Sequence, residues 1–135
     1  VENGPLKPVM TLKARVSQVR NLPKGATVSY GRTYRAEEGI TSAVIPAGYA
    51  DGYPRRLSNM GKVFINGKAY NQIGRICMDV CMADVTGGDV RQGDEAILFG
   101  RGGMSIEAVA QIVGTINYEL TCLVTERANR VYVNN

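Results

Sequence analysis

The 135-residue sequence contains no histidine and no tryptophan, and only two phenylalanines and three cysteines. Without histidine there is no imidazole to act as general base or metal ligand. Acid–base chemistry in this chain therefore falls to tyrosine, lysine, cysteine or the carboxylates. Cys77, Cys81 and Cys122 form an odd set, and the first two lack the CxxC spacing of zinc sites. They read as reduced, buried thiols in a cytoplasmic setting, with no metal expected. No apolar run approaches the roughly 20 residues that span a bilayer, and the opening "VENGPLKPVM" has no signal-peptide pattern, so this segment is expected to make no membrane contact.

Basic clustering is also missing. The net charge is +4, yet Lys and Arg are scattered, and Arg55-Arg56 has no aromatic stacking platform of the kind single-strand binders use. This argues against nucleic acid as a partner. What is present is an aliphatic composition, 44% hydrophobic and 21% charged with 16 glycines, in the range of one globular domain over residues 1–135. The opening "VENGPLKP" reads as a linker boundary just before the first strand.

"MTLKARVSQV" alternates, with Met10, Leu12, Ala14 and Val16 on one side, which is the period of a half-buried strand. "NLPKG" then turns the chain at Pro23 and Gly25. Residues Ile40 to Ile45 form an apolar strand that runs into a loop punctuated by Gly48, Gly52 and Pro54. Asn66-Gly67, between strand-like flanks, signals a hairpin with a type I′ turn. "GRICMDVCMADVT" alternates as one long strand, in which Met78 reads as core, and "GDEAILFG" supplies another. "MSIEAVAQIVGT" switches to helical period, with Ile106, Val109, Ala110 and Val113 on one face, Ser105 as N-cap and Gly114 past the end. A second short helix over "TINYELTCLV", capped by Thr115 or Asn117, and a last strand at "RVYV" complete the chain. The expected fold is mainly β, a closed Greek-key-like barrel with two short helices.

Tyrosine stands out as the chemically capable residue, with seven Tyr against two Phe. Tyr30 sits between Ser29 and Gly31, where nothing bulky shields its hydroxyl. Tyr49 and Tyr53 lie in "GYADGY" and Tyr118 in "INYE", glycine-rich or helix-start contexts from which side chains reach ligands. Asp51, Tyr34 and Tyr53 read as turn or packing residues.

The motifs "VSYGRTYRA", "IPAGYADGYPRRL", "IGRICMDVCMADVT", "GDEAILFG" and "GTINYELTC", in this order and spacing, resemble the C-terminal domain of alanine racemase over essentially the whole chain. The resemblance implies part of a pyridoxal 5′-phosphate enzyme that interconverts L- and D-alanine for bacterial peptidoglycan. In that family an N-terminal (β/α)8 barrel carries the Schiff-base lysine, and two subunits pair head to tail so that each C-terminal domain covers the partner's barrel. The lysine-bearing motif is absent here, and Lys7, Lys13, Lys24, Lys62 and Lys68 read as surface charge. The isolated chain is therefore expected to be inactive.

By the same resemblance Tyr30 is the base on one face of the substrate, opposite the barrel lysine. A phenol ordinarily titrates near about 10, so such a base needs nearby positive charge, which the family's barrel supplies through a His and an Arg. The backbone N–H of Met78 holds the substrate carboxylate, and Tyr118 bonds the cofactor phosphate. Tyr49, Arg55, Arg75 and Asp79 line the entrance corridor, where arginines attract the carboxylate. Two other functions fit the sequence: a racemase for serine or for a wider set of amino acids, and a non-catalytic basic β module that binds a protein or RNA.

Overall fold

The computed structural model describes residues 7–134, so all but the last two residues of the expected linker boundary "VENGPLKP" lie outside the described residues. Nine strands follow in order: β1 (Leu12–Arg15), β2 (Gln18–Leu22), β3 (Thr27–Val28), β4 (Tyr34–Arg35), β5 (Ile40–Ile45), β6 (Lys62–Ile65), β7 (Lys68–Ile73), β8 (Cys81–Asp84) and β9 (Glu95–Phe99). Helices α1 (Ile106–Val113) and α2 (Asn117–Leu123) come last. Seven strands form one antiparallel sheet in the order β1-β9-β6-β7-β8-β5-β2.

The two ends of that order are consecutive in the chain, separated only by Val16 and Ser17. Val16 N–H donates to the Asp94 carbonyl (2.8 Å), on the β9 side, whereas Ser17 N–H donates to the Val44 carbonyl (2.9 Å), in β5. One bent stretch thus pairs with β9 through its first half and with β5 through its second. The sheet thus curls into a half-barrel whose two ends meet at this bend. Strands β6, β7 and β8 succeed one another and β9 returns beside β6, the Greek-key arrangement that the sequence led us to expect. The small β3–β4 ribbon stands apart from this sheet.

The period-two reading of β1 holds, since Leu12 and Val16 are buried and Met10 and Ala14 pack against the core. Asn66 (φ 52°) and Gly67 (φ 78°) make the β6–β7 turn with the positive angles a type I′ hairpin requires. Helix α1 begins where expected, with Ser105 Oγ accepting from Ala108 N–H (3.1 Å), and ends at Gly114. Its Val109, Ala110 and Val113, with Leu120 of α2, seal one flank of the core.

Five expectations need correction. The long strand over residues 74–86 is strand only at β8; residues 74–80 form a loop, because Gly74 (φ 74°) ends β7 and turns the chain. Met78 in that loop is 52% exposed rather than core, and within β8 it is Cys81 and Ala83, not Met82, that point inward. Helix α2 is preceded by Ile116 with no side-chain cap; the Asn117 amide is turned to Glu107 instead (3.2 Å). "RVYV" pairs with nothing as a strand, and Cys122 is exposed, although Cys81 is buried.

Tyr53, read from sequence as structural, is wholly buried, and among the described residues its hydroxyl has no hydrogen-bond partner. Burial first, and Cys81 second, push its phenol well above the ordinary range. An unpaired buried hydroxyl costs roughly 1–3 kcal/mol. Tyr53→Phe is therefore expected to raise the Tm by a few degrees. A fall in Tm on calorimetry would instead mean that a buried water holds the hydroxyl.

Candidate functional site

Three loops meet at one end of the barrel. The first is a short 3-10 turn, Tyr30–Arg32, that joins β3 to β4; the second, residues 46–54, follows β5; the third, residues 74–80, joins β7 to β8. Two backbone bonds tie the second to the third: Tyr49 N–H donates to the Cys77 carbonyl and Ala50 N–H to the Met78 carbonyl, both at 3.0 Å. Gly48 makes this approach possible. A Cβ there would lie 2.1 Å from the Cys77 oxygen and 2.5 Å from the Met78 oxygen, distances no side chain tolerates.

The third loop is shaped from beneath by a buried glutamine. Gln72 accepts from Asn59 N–H through Oε1 (2.7 Å) and donates through Nε2 to the carbonyls of Ile73 (3.0 Å) and Gly74 (2.8 Å). Asn59 Oδ1 accepts from Gly74 N–H (2.7 Å), and Ser58 Oγ accepts from Ile76 N–H (2.9 Å). Every polar atom of the buried amide is thereby engaged, which is the condition for a buried polar group to rigidify rather than destabilise.

Tyr30, Tyr49, Arg55, Arg75, Met78 and Asp79 line one open cavity of about 480 Å³. Six of the seven residues singled out in the sequence are thus brought together. Tyr30 is 76% exposed, and the Arg75 guanidinium lies against Gly31, its Nε 3.1 Å from where a Cβ would stand. Tyr118 is not in this cavity. It is 73% exposed on the first turn of α2, whose Glu119, Leu120 and Leu123 border a neighbouring hollow of about 270 Å³ shared with Tyr49 and Arg55. No lysine lines either space.

The sequence reading passed over Arg127. Its guanidinium pairs with Asp79 and with Asp51 (3.4 Å), and its hydrogen bond to Asp79 holds it further above its ordinary value. Asp51 in turn accepts from Gly48 N–H (2.9 Å), consistent with its reading as a turn residue. No local pattern in "TERANR" announces this bridge, because both partners come from distant loops.

The family model "Alanine racemase, C-terminal domain" matches residues 9–132. The chain belongs to the alanine racemase C-terminal domain family. It is 50% identical, over 138 aligned residues and 99% of its length, to an alanine racemase of Clostridium perfringens (strain SM101 / Type A). It spans only 36% of that relative. Among solved structures, alanine racemase from Streptomyces coelicolor A3(2) aligns with a TM-score of 0.91 at 44% identity, covering 96% of this chain and 35% of that one. Alanine racemase from Bartonella henselae with covalently bound pyridoxal phosphate aligns at 0.92 and 35% identity, covering 98% and 37%. The C-terminal domain fold is thus reproduced in full, on about a third of the relatives' length.

The Gly48 contact is open to test. Gly48→Ala is expected to lower stability by about 2 kcal/mol or more, because two backbone carbonyls rather than a mobile side chain must give way. Chemical denaturation would read the loss, and a change under about 0.5 kcal/mol would mean that the two loops part easily.

Proposed function

We propose that this chain is the C-terminal part of a bacterial alanine racemase, with Tyr30 one of its two proton-transfer bases. The observation that carries the reading is the exposed Tyr30 phenol facing a cavity shared with Arg75 and the Met78 backbone. Interconverting L- and D-alanine requires the α-proton to leave one face of a planar carbon and return to the other, so two bases must flank it. Tyr30 Oη serves one face. The other base is a lysine of an N-terminal (β/α)8 barrel that lies outside this chain.

Among the described residues the Met78 N–H donates to no acceptor, which suits it to a substrate carboxylate. The Cys77 carbonyl, which shares a peptide unit with the Met78 N–H, already accepts from Tyr49 N–H, so that peptide is held in one orientation. Arg75 and Arg55 add positive charge that draws the carboxylate in, a role they share with groups of the barrel. Asp79, fixed by Arg127, limits that charge at the cavity wall. Tyr49 forms the opposite wall.

Pyridoxal 5′-phosphate, when bound, withdraws electrons from the substrate and makes its α-proton removable. This chain fits that group only in part. The exposed Tyr118 hydroxyl is a suitable donor to a phosphate oxygen, but covalent attachment needs the barrel lysine. Lys13 pairs with Glu95, Lys24 with Glu38 and Lys62 with Asn71, all on the outside of the domain.

Exposed Tyr30, Met78 and Tyr118 at this end, and Val131 and Tyr132 near the C-terminal segment, support burial against other parts of the enzyme. We assign these to a partner's barrel in a head-to-tail homodimer and to the chain's own barrel. Three free cysteines accord with a cytoplasmic enzyme supplying D-alanine to peptidoglycan.

In deuterated water the full-length enzyme is expected to exchange the α-proton of both alanine enantiomers, and of L-serine poorly. Tyr30→Phe should reduce exchange on the L-alanine face by about 100-fold or more and spare the D-alanine face; equal loss on both faces refutes the assignment. Met78→Leu should leave both rates nearly unchanged, since the backbone donor survives.

A second outcome concerns the chain by itself. Purified alone, it is expected to show no alanine turnover and no borohydride-trapped adduct with pyridoxal phosphate. Turnover by the pure chain would mean that both bases reside within it.

A further inference from the structure

Ser29, immediately before Tyr30, has φ 65° and ψ −179°. That is a region of backbone space occupied almost only by glycine, and a side chain held there costs about 1–3 kcal/mol. Nothing about the β3–β4 ribbon demands it: a tight connection between two-residue strands could use glycine, as the next position does with Gly31 at φ 70°. A serine kept at a position of this kind needs a return on its side chain.

The hydroxyl provides one. Ser29 Oγ donates to the Arg75 carbonyl at 2.6 Å, and Cys77 Sγ stands 3.3 Å from Ser29 Oγ. Arg75 and Cys77 belong to the loop that presents the Met78 N–H. Beneath them Gly74 (φ 74°) brings the two backbones together, since a Cβ on it would lie 2.9 Å from Ser29 Cβ and 3.0 Å from the Val28 carbonyl oxygen. The ribbon otherwise stands outside the seven-stranded sheet. Its attachment near Tyr30 thus runs through the Ser29 hydroxyl, the Gly74 contact, the Arg75 side chain over Gly31 and, past the turn, the exposed hydrogen bond that Asn59 Nδ2 donates to Thr33 Oγ1 (3.2 Å).

We propose that Ser29 is a positioning residue: its hydroxyl latches the Tyr30 turn to the Arg75 carbonyl and so sets the phenol relative to the Met78 N–H. The inference deepens the racemase reading and rests on it for its catalytic consequence. The backbone strain at Ser29 acts as a preload. When the hydroxyl is removed, the turn relaxes away from φ 65°, and Tyr30 swings off the line to the substrate α-carbon while Met78 stays bound to Ala50. A displacement of about 1 Å at a reacting group is enough to lower a rate by up to about 100-fold.

The test is Ser29→Ala in the full-length enzyme, with Ser29→Gly beside it. Glycine adopts φ 65° without strain, so that variant folds even if the alanine variant does not; it lacks the latch, and its turn is free to move where that of the alanine variant is driven away. Both are expected to lower α-proton exchange on the Tyr30-dependent face by about 10- to 100-fold, leaving the other face within about twofold. Hydrogen-exchange mass spectrometry should show faster amide exchange in residues 28–34 and unchanged exchange in residues 76–80. Equal loss on both faces, or no loss on either, overturns the proposal, as does unchanged amide exchange over the turn. Absence of alanine exchange in the unmodified enzyme would instead overturn the racemase reading, and the amide measurement would still decide whether the latch exists.

Discussion

The close passage of Gly48 over the carbonyls of Cys77 and Met78 governs the whole end of the barrel at which the cavity lies. It lets Tyr49 and Ala50 bond across to the next loop, and those two bonds turn separate connections into one backbone layer. The layer fixes which way the Cys77–Met78 peptide faces: its carbonyl is engaged by Tyr49, so its N–H is directed the opposite way. A site that relies on a main-chain donor requires this kind of constraint, because no rotamer adjustment can restore a peptide that has turned over. Gly48 is therefore more restrictive of sequence than Met78 itself.

Support for that layer comes from two unlike sources. Below it, the Gln72 amide and the Asn59 side chain satisfy the turn at Gly74 from inside the protein, where water is excluded and each hydrogen bond is firmly held. Above it, Arg127, itself half-exposed, spans the mostly covered Asp51 and the exposed Asp79, and the exposed pair is worth little. Rigidity of the cavity floor thus depends on the buried amide, and the surface bridge mainly sets local charge. The meeting of the sheet's two ends at Val16 and Ser17 gives both a fixed frame, because a strand paired on one side in its first half and on the other in its second cannot easily slip.

Much of the fold was legible because its signals are local. Period-two burial in β1, the Asn66-Gly67 turn and the Ser105-to-Gly114 helix each follow from a few adjacent residues. The errors share a cause. Alternation in "GRICMDV" imitates a strand, but Gly74 and the bonds from the Gly48 loop hold residues 74–80 as a loop, and those bonds come from about 30 positions upstream. "RVYV" has strand-forming residues and no neighbour to pair with. At the cavity, motif resemblance found Tyr30, Tyr49, Arg55, Arg75, Met78 and Asp79, whereas Ser29, Gln72 and Arg127 act through distant partners and carry no local mark. Ser29 was visible only as a small neighbour of Tyr30; its positive φ belongs to the folded chain.

The strain at Ser29 and the exposure of Tyr30 follow from the same requirement. A phenol that must act on a molecule held by another part of the enzyme cannot be fixed by burying it in its own core, as Tyr53 is fixed. It has to project, and a projecting side chain on a two-strand ribbon would wander. Restraint must then enter through the backbone, at the residue beside it, and must cost less than burial would. A strained serine latched to a carbonyl meets that requirement, because the barrel, the Gln72 amide and the Gly74 contact together outweigh a penalty of about 1–3 kcal/mol at one residue. The phenol stays bare to its reactant while its root stays fixed.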